Sequence, residues 1–243
     1  MIPSTRAAWT YMNIGYTWYM VMRTLKGLSL IVFALSAGCA GTSMERPQTI
    51  NIPARDCCRA GQAAARQGAI VHTASGLVGA KAIESQGQRI SYDCAGVVRA
   101  IYIAHGIDLF DGVDTGRNVN GVRLIYEHVH GQGRIHAGPV VHPGDLVFFD
   151  NTWDYNEDGK ANDPLTHVGI VERIESDGTI VFISRVSQAI ERYRMNLAYP
   201  HVHQTAGGRI LNDYMRRKRS SDGDGTRYLT GELFAAFGTR LSS

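Results

Sequence analysis

The chain carries little excess charge of either sign, which limits the classes of molecule that it is expected to bind. The 243 residues carry a formal net charge of +3, which is small for a protein that must hold a polyanion. The basic run at 216–219 is followed closely by acidic residues, so it is typical of a solvated loop. We therefore expect no nucleic-acid partner.

Long apolar segments are also missing. The apolar run at 28–35 is too short to cross a bilayer, and it follows a basic lead and precedes small residues, as in an export signal. Residues 1–21 do not suit the start of such a leader. We therefore predict a leader over 1–39, in which Met22 is the true initiator and 22–39 form the signal.

Cysteine is sparse, and the four cysteines differ in their surroundings. Cys57 and Cys58 are neighbours, and a disulfide between neighbours requires a strained ring, so two thiols on one helix are expected. A bridge from either of them to Cys94 remains open and would block that thiol. Cys39 directly follows the small residues of the leader, and Cys94 stands alone.

Cys94 begins a helical pattern. Asp93 is a suitable N-cap, and apolar residues then recur at helical spacing: Val97, Val98, Ile101 and Tyr102. A first-turn cysteine lies beside free backbone N–H groups and the positive end of the helix dipole, which favour a thiolate. The alternative is a small buried hydrophobic residue, which most unpaired cysteines are.

Three strand patterns follow downstream. A Pro-Gly turn leads into an apolar strand within 141–149, a second strand covers 165–172, and a turn at 176–179 separates it from a third at 180–183. His167 opens the second strand. A lone histidine in that place is usually structural, but its order after the Cys94 helix favours a thiol–imidazole pair.

Three sequence blocks resemble, in order, the signature blocks of the NlpC and CHAP cysteine peptidases: 93–96 (Asp-Cys-Ala-Gly), 143–149 and 167–171. The resemblance covers roughly residues 65–200. It implies an α+β, papain-like fold in which N-terminal helices pack on an antiparallel sheet, and cleavage of peptide or amide bonds in bacterial peptidoglycan. It also implies Cys94 as nucleophile and His167 as general base, with no cofactor required for catalysis.

Two positions depart from that family. Its members usually carry a third polar residue, often histidine, where this chain has Ser184, and a hydroxyl polarises an imidazole less than a second imidazole would. Residues 85–89 replace an aromatic–glycine segment. Arg185, as a strand neighbour of Ser184, is expected to face outward. The alternative is therefore a catalytically weakened, calcium-stabilised envelope lipoprotein that acts as a binding module, and acyl or amide transfer to a substrate outside the cell wall is a third.

The order of the segments suggests a tethered envelope protein. Small residues before Cys39 resemble a lipoprotein signal, so Cys39 is predicted to be acylated, and the uncharged Ala40 fits delivery to an outer membrane facing the periplasm. A flexible tether at 40–53 would precede a catalytic domain over 54–243 with a C-terminal extension. We expect a monomer bound to peptidoglycan and held at the membrane by lipid alone.

Within that domain, two further segments are predicted helical. The alanine-rich stretch 54–82 favours one or two helices, broken near Gly68 or Gly76. The amphipathic stretch 229–238 favours a short helix docked on the domain.

An acidic loop at 150–163 separates the first two strands. Its residues Asp154, Asn156, Asp158 and Gly159 match the first half of an EF-hand calcium loop. Leu165 occupies the closing position, where a glutamate is usual, and Asn162 or Asp163 could complete the shell. The sequence therefore indicates either a calcium site or an Asp/Asn-rich turn, for which such residues are also typical.

Overall fold

The computed structural model describes residues 54–83, 90–220 and 222–241, all within a compact unit that spans Ile50–Ser243. The helices and strands in these ranges are α1 (Ala54–Gly76), α2 (Cys94–Ile103), α3 (Gly121–Gln132), β1 (Arg134–His136), β2 (Leu146–Phe149), β3 (His167–Ile174), β4 (Ile180–Arg185), β5 (Ile190–Met195), α4 (Thr230–Leu233) and β6 (Phe234–Thr239). Three helices thus come first and the strands follow, with the single turn α4 before the last strand.

Several predictions for the N-terminal part lie outside the described residues. They are the leader, acylation of Cys39 and the tether at 40–53; the side chains of Cys57 and Cys58 are likewise not described. Across the described ranges, no helix has both the length and the apolar character needed to span a membrane.

The strands form one antiparallel sheet in the order β1-β6-β2-β3-β4-β5. β6, the last strand of the chain, is inserted between β1 and β2 and pairs with both. Helices followed by a purely antiparallel sheet confirm the predicted α+β class. β3, which begins at the candidate base, therefore lies in the interior of the sheet.

Both faces of the sheet are covered. Alternate residues of β3, Val168 and Ile170, belong to a core shared with Val97 and Ile101 of α2. The other face carries a second core: Val147, Phe149, Val171, Phe182, Met195 and Phe237, with Met215 and Leu233 from the C-terminal segments. The two-residue period of a strand separates these clusters and explains the nearly continuous apolar runs in β2 and β4.

Of the two places where a break was predicted in 54–82, the structure confirms Gly76, at which α1 ends. The helix continues through Gly68, because one glycine costs a helix only about 1 kcal/mol and alanines surround this one. One expectation is corrected. The predicted helix over 229–238 is a single turn, α4, followed by β6. Since β6 pairs on both sides, two strand ladders override its local helical pattern.

The block at 143–149 fastens α2 to the sheet. The Tyr102 hydroxyl, on the last turn of α2, donates to the Gly144 carbonyl at 2.8 Å. Gly144 has a φ of 89°, which glycine adopts readily, and the buried Asp145 carboxylate accepts from the His142 N–H at 2.8 Å. The segment at 143–149 is thus a structural clamp behind the Cys94 helix.

Gly169 offers a direct test of how closely β3 and β4 are packed. A Cβ at Gly169 would lie 2.7 Å from the Phe182 ring and 3.3 Å from the Ser184 Cβ. We expect Gly169→Ala to lower the free energy of unfolding by about 1–3 kcal/mol in urea melts, because the added methyl overpacks the sheet.

Gly68→Ala is the matched control. A Cβ at Gly68 meets nothing within 4 Å, so the same substitution on α1 should stabilise the protein by about 0.5–1 kcal/mol. Equal effects at the two positions would contradict the close packing at Gly169.

Candidate active site

Local bonds fix the first turn of α2 around Cys94. Asp93 is the N-cap, and its Oδ1 accepts the Gly96 N–H at 2.7 Å. The preceding chain folds over this turn so tightly that a Cβ at Gly96 would fall 1.9 Å from the Ser91 carbonyl oxygen. Glycine at position 96 is therefore a packing requirement that also keeps Cys94 in place.

Burial dominates the acidity of the Cys94 thiol. Desolvation raises its pKa to about 11, and the Asp93 charge adds to the increase. Three backbone groups, those of Val168, Ala95 and Cys94 itself, act in the opposite direction. The expectation of a thiolate is thus contradicted, because loss of water outweighs the helix N-terminus.

His167 is fully enclosed at the start of β3. Its Nε2 lies 2.7 Å from the Ser184 Oγ, and the Phe149 ring lies beside it, with 6.3 Å between ring centroids. The Ser184 hydroxyl in turn donates to the Val168 carbonyl at 2.7 Å. Residue 184, singled out from the sequence as the third polar position, therefore contacts the predicted base.

The Ser184 contacts decide the tautomer of His167. A serine hydroxyl has one hydrogen to donate, and Ser184 gives it to the Val168 carbonyl. The His167 Nε2 must then carry the hydrogen of the 2.7 Å bond and donate it to Oγ. This leaves a lone pair on Nδ1, the nitrogen free to accept a proton.

The His167 ring is neutral at ordinary pH. Desolvation lowers its pKa to about 4, and the positive charge of Arg185 contributes to the decrease. Thiol and imidazole are therefore both uncharged at neutral pH, rather than an ion pair.

Val168 links the two candidate groups. Its backbone lies close enough to the Cys94 sulfur to lower the thiol pKa, and its carbonyl holds Ser184. Val168 belongs to the core on the α2 side, whereas Phe149, the neighbour of His167, belongs to the opposite core. The pairing of β3 with β4 begins at Ile170 opposite Ile183. Among the described residues, the His167 ring is hydrogen-bonded to Ser184 and not to the Cys94 thiol.

Arg185 is a site residue that the sequence assigned to the wrong place. Its guanidinium lies over the Tyr92 ring, 5.0 Å from the centroid, and its buried Nε has no hydrogen-bond partner among the described residues. The Tyr92 hydroxyl donates to the Ala80 carbonyl at 2.5 Å. As strand alternation predicts, the side chains of Arg185 and Ser184 lie on opposite faces of β4. The face that carries Arg185, however, is covered by Tyr92, from the segment before Cys94, and not by solvent.

The predicted metal residues come together in one loop. Asp154 Oδ2 accepts the Gly159 N–H at 3.0 Å, and Asn156 Oδ1 accepts the Asp158 N–H at 3.0 Å. Asn162 donates its side-chain amide to Asp158 Oδ2 at 2.9 Å. Within the described part of the chain, no three His, Cys, Asp or Glu side chains converge as a ready-made metal cluster.

A cavity of about 810 Å³ opens beyond the end of β4. Its lining includes Val186, Ser187, Tyr214, Lys218 and Tyr228, and Lys218 lies over the Tyr228 ring. Part of the basic run is not solvated as predicted, because Arg216 is largely buried and donates to the Asn151 carbonyl at 2.8 Å. This basic, aromatic cavity begins one residue after Arg185.

The chain matches no protein-family model, and no curated protein or solved structure is similar enough to count as a match. The geometry and chemistry of the chain itself therefore carry the functional argument.

The charge of Arg185 can be tested through the titration of His167. Arg185→Gln removes the one positive charge that lowers the His167 pKa, so this pKa should rise from about 4 toward the ordinary value, while burial keeps it below about 6.5. Histidine NMR titration measures it, with the His167 resonance assigned from its loss in His167→Gln.

Arg192→Gln serves as the matched control, since Arg192 lies on β5 and pairs with Glu172 at 2.7 Å. It should leave the His167 pKa unchanged. An equal response to the two substitutions, or none to Arg185→Gln, would refute the proximity of the Arg185 charge.

Proposed function

We propose that the protein is a cysteine peptidase or amidase that hydrolyses bonds in peptidoglycan stem peptides from a papain-like domain. The observation that carries the proposal is the Ser184–His167 hydrogen bond, which leaves the lone pair of the predicted base on Nδ1. Acylation at Cys39 would hold this domain at the outer membrane, facing the periplasm.

The reaction begins with transfer of the Cys94 thiol proton to Nδ1 of His167, the first residue of β3. The sulfur attacks the scissile carbonyl carbon, and the N–H groups of Cys94 and Ala95 stabilise the resulting oxyanion. Collapse expels the amine, which takes the proton from Nδ1, and leaves an acyl thioester on Cys94. Water then attacks the thioester with His167 as base, which releases the acid and restores the thiol.

Because thiol and imidazole are both neutral before substrate binds, the proposed mechanism differs from that of a preformed thiolate–imidazolium pair. With pKa values of about 11 for Cys94 and about 4 for His167, the proton moves during attack, when the substrate and the oxyanion donors compensate the new charges. His167 acts as a general base for a weakly acidic nucleophile, as in serine hydrolases. Ser184 is a positioning residue, because it orients the ring without touching substrate.

The Arg185–Tyr92 pair suits a substrate that carries a carboxylate close to the scissile bond. The guanidinium is stacked on the Tyr92 ring, and its charge lies close enough to His167 to lower the pKa of that ring. Arginine binds carboxylates through paired N–H donors. Peptidoglycan stem peptides carry free carboxylates beside their amide bonds, so this chemistry supports them as the substrate class.

A binding module with little turnover is the second candidate. The observation in its favour is the same pair of pKa directions, since a partly buried neutral thiol and a buried neutral imidazole are also what two unreactive structural side chains would show. In that case the Arg185 guanidinium and the adjacent cavity would hold an anionic wall fragment without cleaving it.

Digestion of purified peptidoglycan tests the enzymatic proposal. The wild-type protein should release muropeptides with new termini, seen by liquid chromatography and mass spectrometry. Cys94→Ala and His167→Ala should each reduce this release by about 10³-fold or more, because both remove a group that touches the reacting atoms. His130→Ala, at an exposed position of α3, is the matched histidine control and should retain activity.

Identical muropeptide profiles from the wild type and Cys94→Ala would overturn the peptidase proposal. Retained binding of wall fragments by both proteins would then establish the binding module.

Ser184 gives an independent test. Ser184→Ala leaves the buried His167 Nε2–H without its acceptor, and an unsatisfied buried donor costs about 1–3 kcal/mol. We therefore expect kcat to fall about tenfold or more with little change in KM, and Ser184→Asn, which restores an acceptor, to recover part of the rate.

The matched control is Ser176→Ala at an exposed position of the turn between β3 and β4, which should not alter kcat. An unchanged kcat in Ser184→Ala would show that the tautomer set by Ser184 has no part in the reaction.

A further inference from the structure

The loop between β2 and β3 contains two buried carboxylate oxygens without a hydrogen-bond donor among the described residues. They are Oδ1 of Asp154 and Oδ2 of Asp163. Asp163 is only 4% exposed, and its other oxygen accepts the Asn156 N–H at 3.3 Å. That bond directs the Asp163 carboxylate into the segment that starts at Asp154.

A buried carboxylate oxygen that lacks a donor is costly, because it has lost water and gained no compensating bond. Asp154 and Asp163 are also two acidic side chains of the same short loop. Protein donors do not resolve this cost, since the nearest N–H groups are already used by the other oxygens: Gly159 bonds Asp154 Oδ2 and Asn156 bonds Asp163 Oδ1. A cation is the group that would satisfy both free oxygens together.

We propose that this loop binds one calcium ion, with Asp154 and Asp163 as its anionic ligands. The side-chain oxygen of Asn156 lies between them in the sequence and would add to an all-oxygen donor set with backbone carbonyls and water, while Asp158 is bonded to Lys160 and Asn162 on the outside of the loop. Calcium accepts six to eight such ligands in flexible geometry, whereas magnesium demands a stricter octahedron and gives up its water reluctantly.

The second anionic ligand lies at a different sequence position from the one that the EF-hand pattern predicts. Leu165, at the closing position, has a φ of 55° and donates its N–H to Asp150 Oδ1 at 2.7 Å, so it turns the chain into β3. Asp163 takes over as the second anionic ligand from two residues earlier. Gly159, with a φ of 75°, supplies the sharp turn that the first half of the loop requires.

The base of the same loop is bonded to the residues that precede His167. The Asn151 and Asp163 backbones are linked at 2.8 Å, and Thr152 donates both its N–H and its hydroxyl to Thr166 Oγ1 at 2.9 Å. A cation that closes the loop therefore also stiffens the entry to β3. The site itself stands independently of the proposed peptidase activity.

Sensitised terbium luminescence can test the site on the protein as it exists, without an activity assay. Trp153 and Tyr155 flank Asp154, and their rings are in contact with centroids 5.1 Å apart, so excitation of Trp153 should transfer energy to a bound Tb³⁺. We expect one saturable Tb³⁺ equivalent, displaced by Ca²⁺ and not by equal Mg²⁺. We also expect about 5 mM Ca²⁺ to raise the melting temperature by several degrees.

Asp163→Asn separates ligand loss from misfolding. It removes a buried charge, so the metal-free variant should melt at least as high as the wild type, yet its Tb³⁺ signal and its Ca²⁺-dependent shift should disappear. Asp154→Asn should behave in the same way. Asp114→Asn, in an exposed loop far along the sequence, is the matched control and should retain both responses.

Absence of saturable Tb³⁺ luminescence together with a Ca²⁺-independent melting temperature in the wild type would overturn the proposal. Undiminished binding in both Asp154→Asn and Asp163→Asn would overturn it as well. Neither result depends on peptidoglycan cleavage, so failure of the calcium site and failure of the proposed enzyme are distinguishable.

Discussion

The single hydrogen of the Ser184 hydroxyl determines what chemistry the sheet can support. Because that hydrogen is donated to the Val168 carbonyl, Ser184 can only accept from His167. The imidazole is thereby fixed with its lone pair on Nδ1. A carboxylate at this position would add a negative charge, and a second imidazole would add another titratable group. Serine adds neither and only orients the His167 ring. The loss of polarising power noted from the sequence is thus matched by a definite tautomer.

Burial, rather than the helix dipole, sets the charge state around this bond. The N–H groups at the start of α2 and at Val168 do lower the Cys94 pKa, but removal of water outweighs them. The His167 pKa falls for the same reason, with help from Arg185. A neutral pair costs less to bury than an ion pair, which lets the site sit inside a well-packed sheet at the expense of a pre-ionised nucleophile.

Sequence reasoning succeeded where local pattern and tertiary structure agree. The Asp93 cap, the α2 helix and the strand that starts with His167 follow from capping and apolar spacing, and Ser184 follows from the order of blocks. It failed where long-range pairing decides: residues 234–239 have a helical pattern but are held as β6 by strands on both sides. The inward placement of Arg185 depends on Tyr92, which is distant in sequence, and no periodicity reveals that contact.

Buried polar atoms without a hydrogen-bond partner occur at several places among the described residues. Arg185 Nε lies in the side chain that is stacked on Tyr92, one oxygen of Asp145 lies behind α2, and free oxygens of Asp154 and Asp163 lie in the loop before β3. Only the loop brings two such oxygens into one short segment, which is why the proposed ligand there is a cation. Because Thr152 and Thr166 join that loop to the start of β3, a ligand in the loop would restrain the strand from which His167 projects. The proposed cation site in the loop and the predicted base are therefore connected through Thr166, the residue directly before His167.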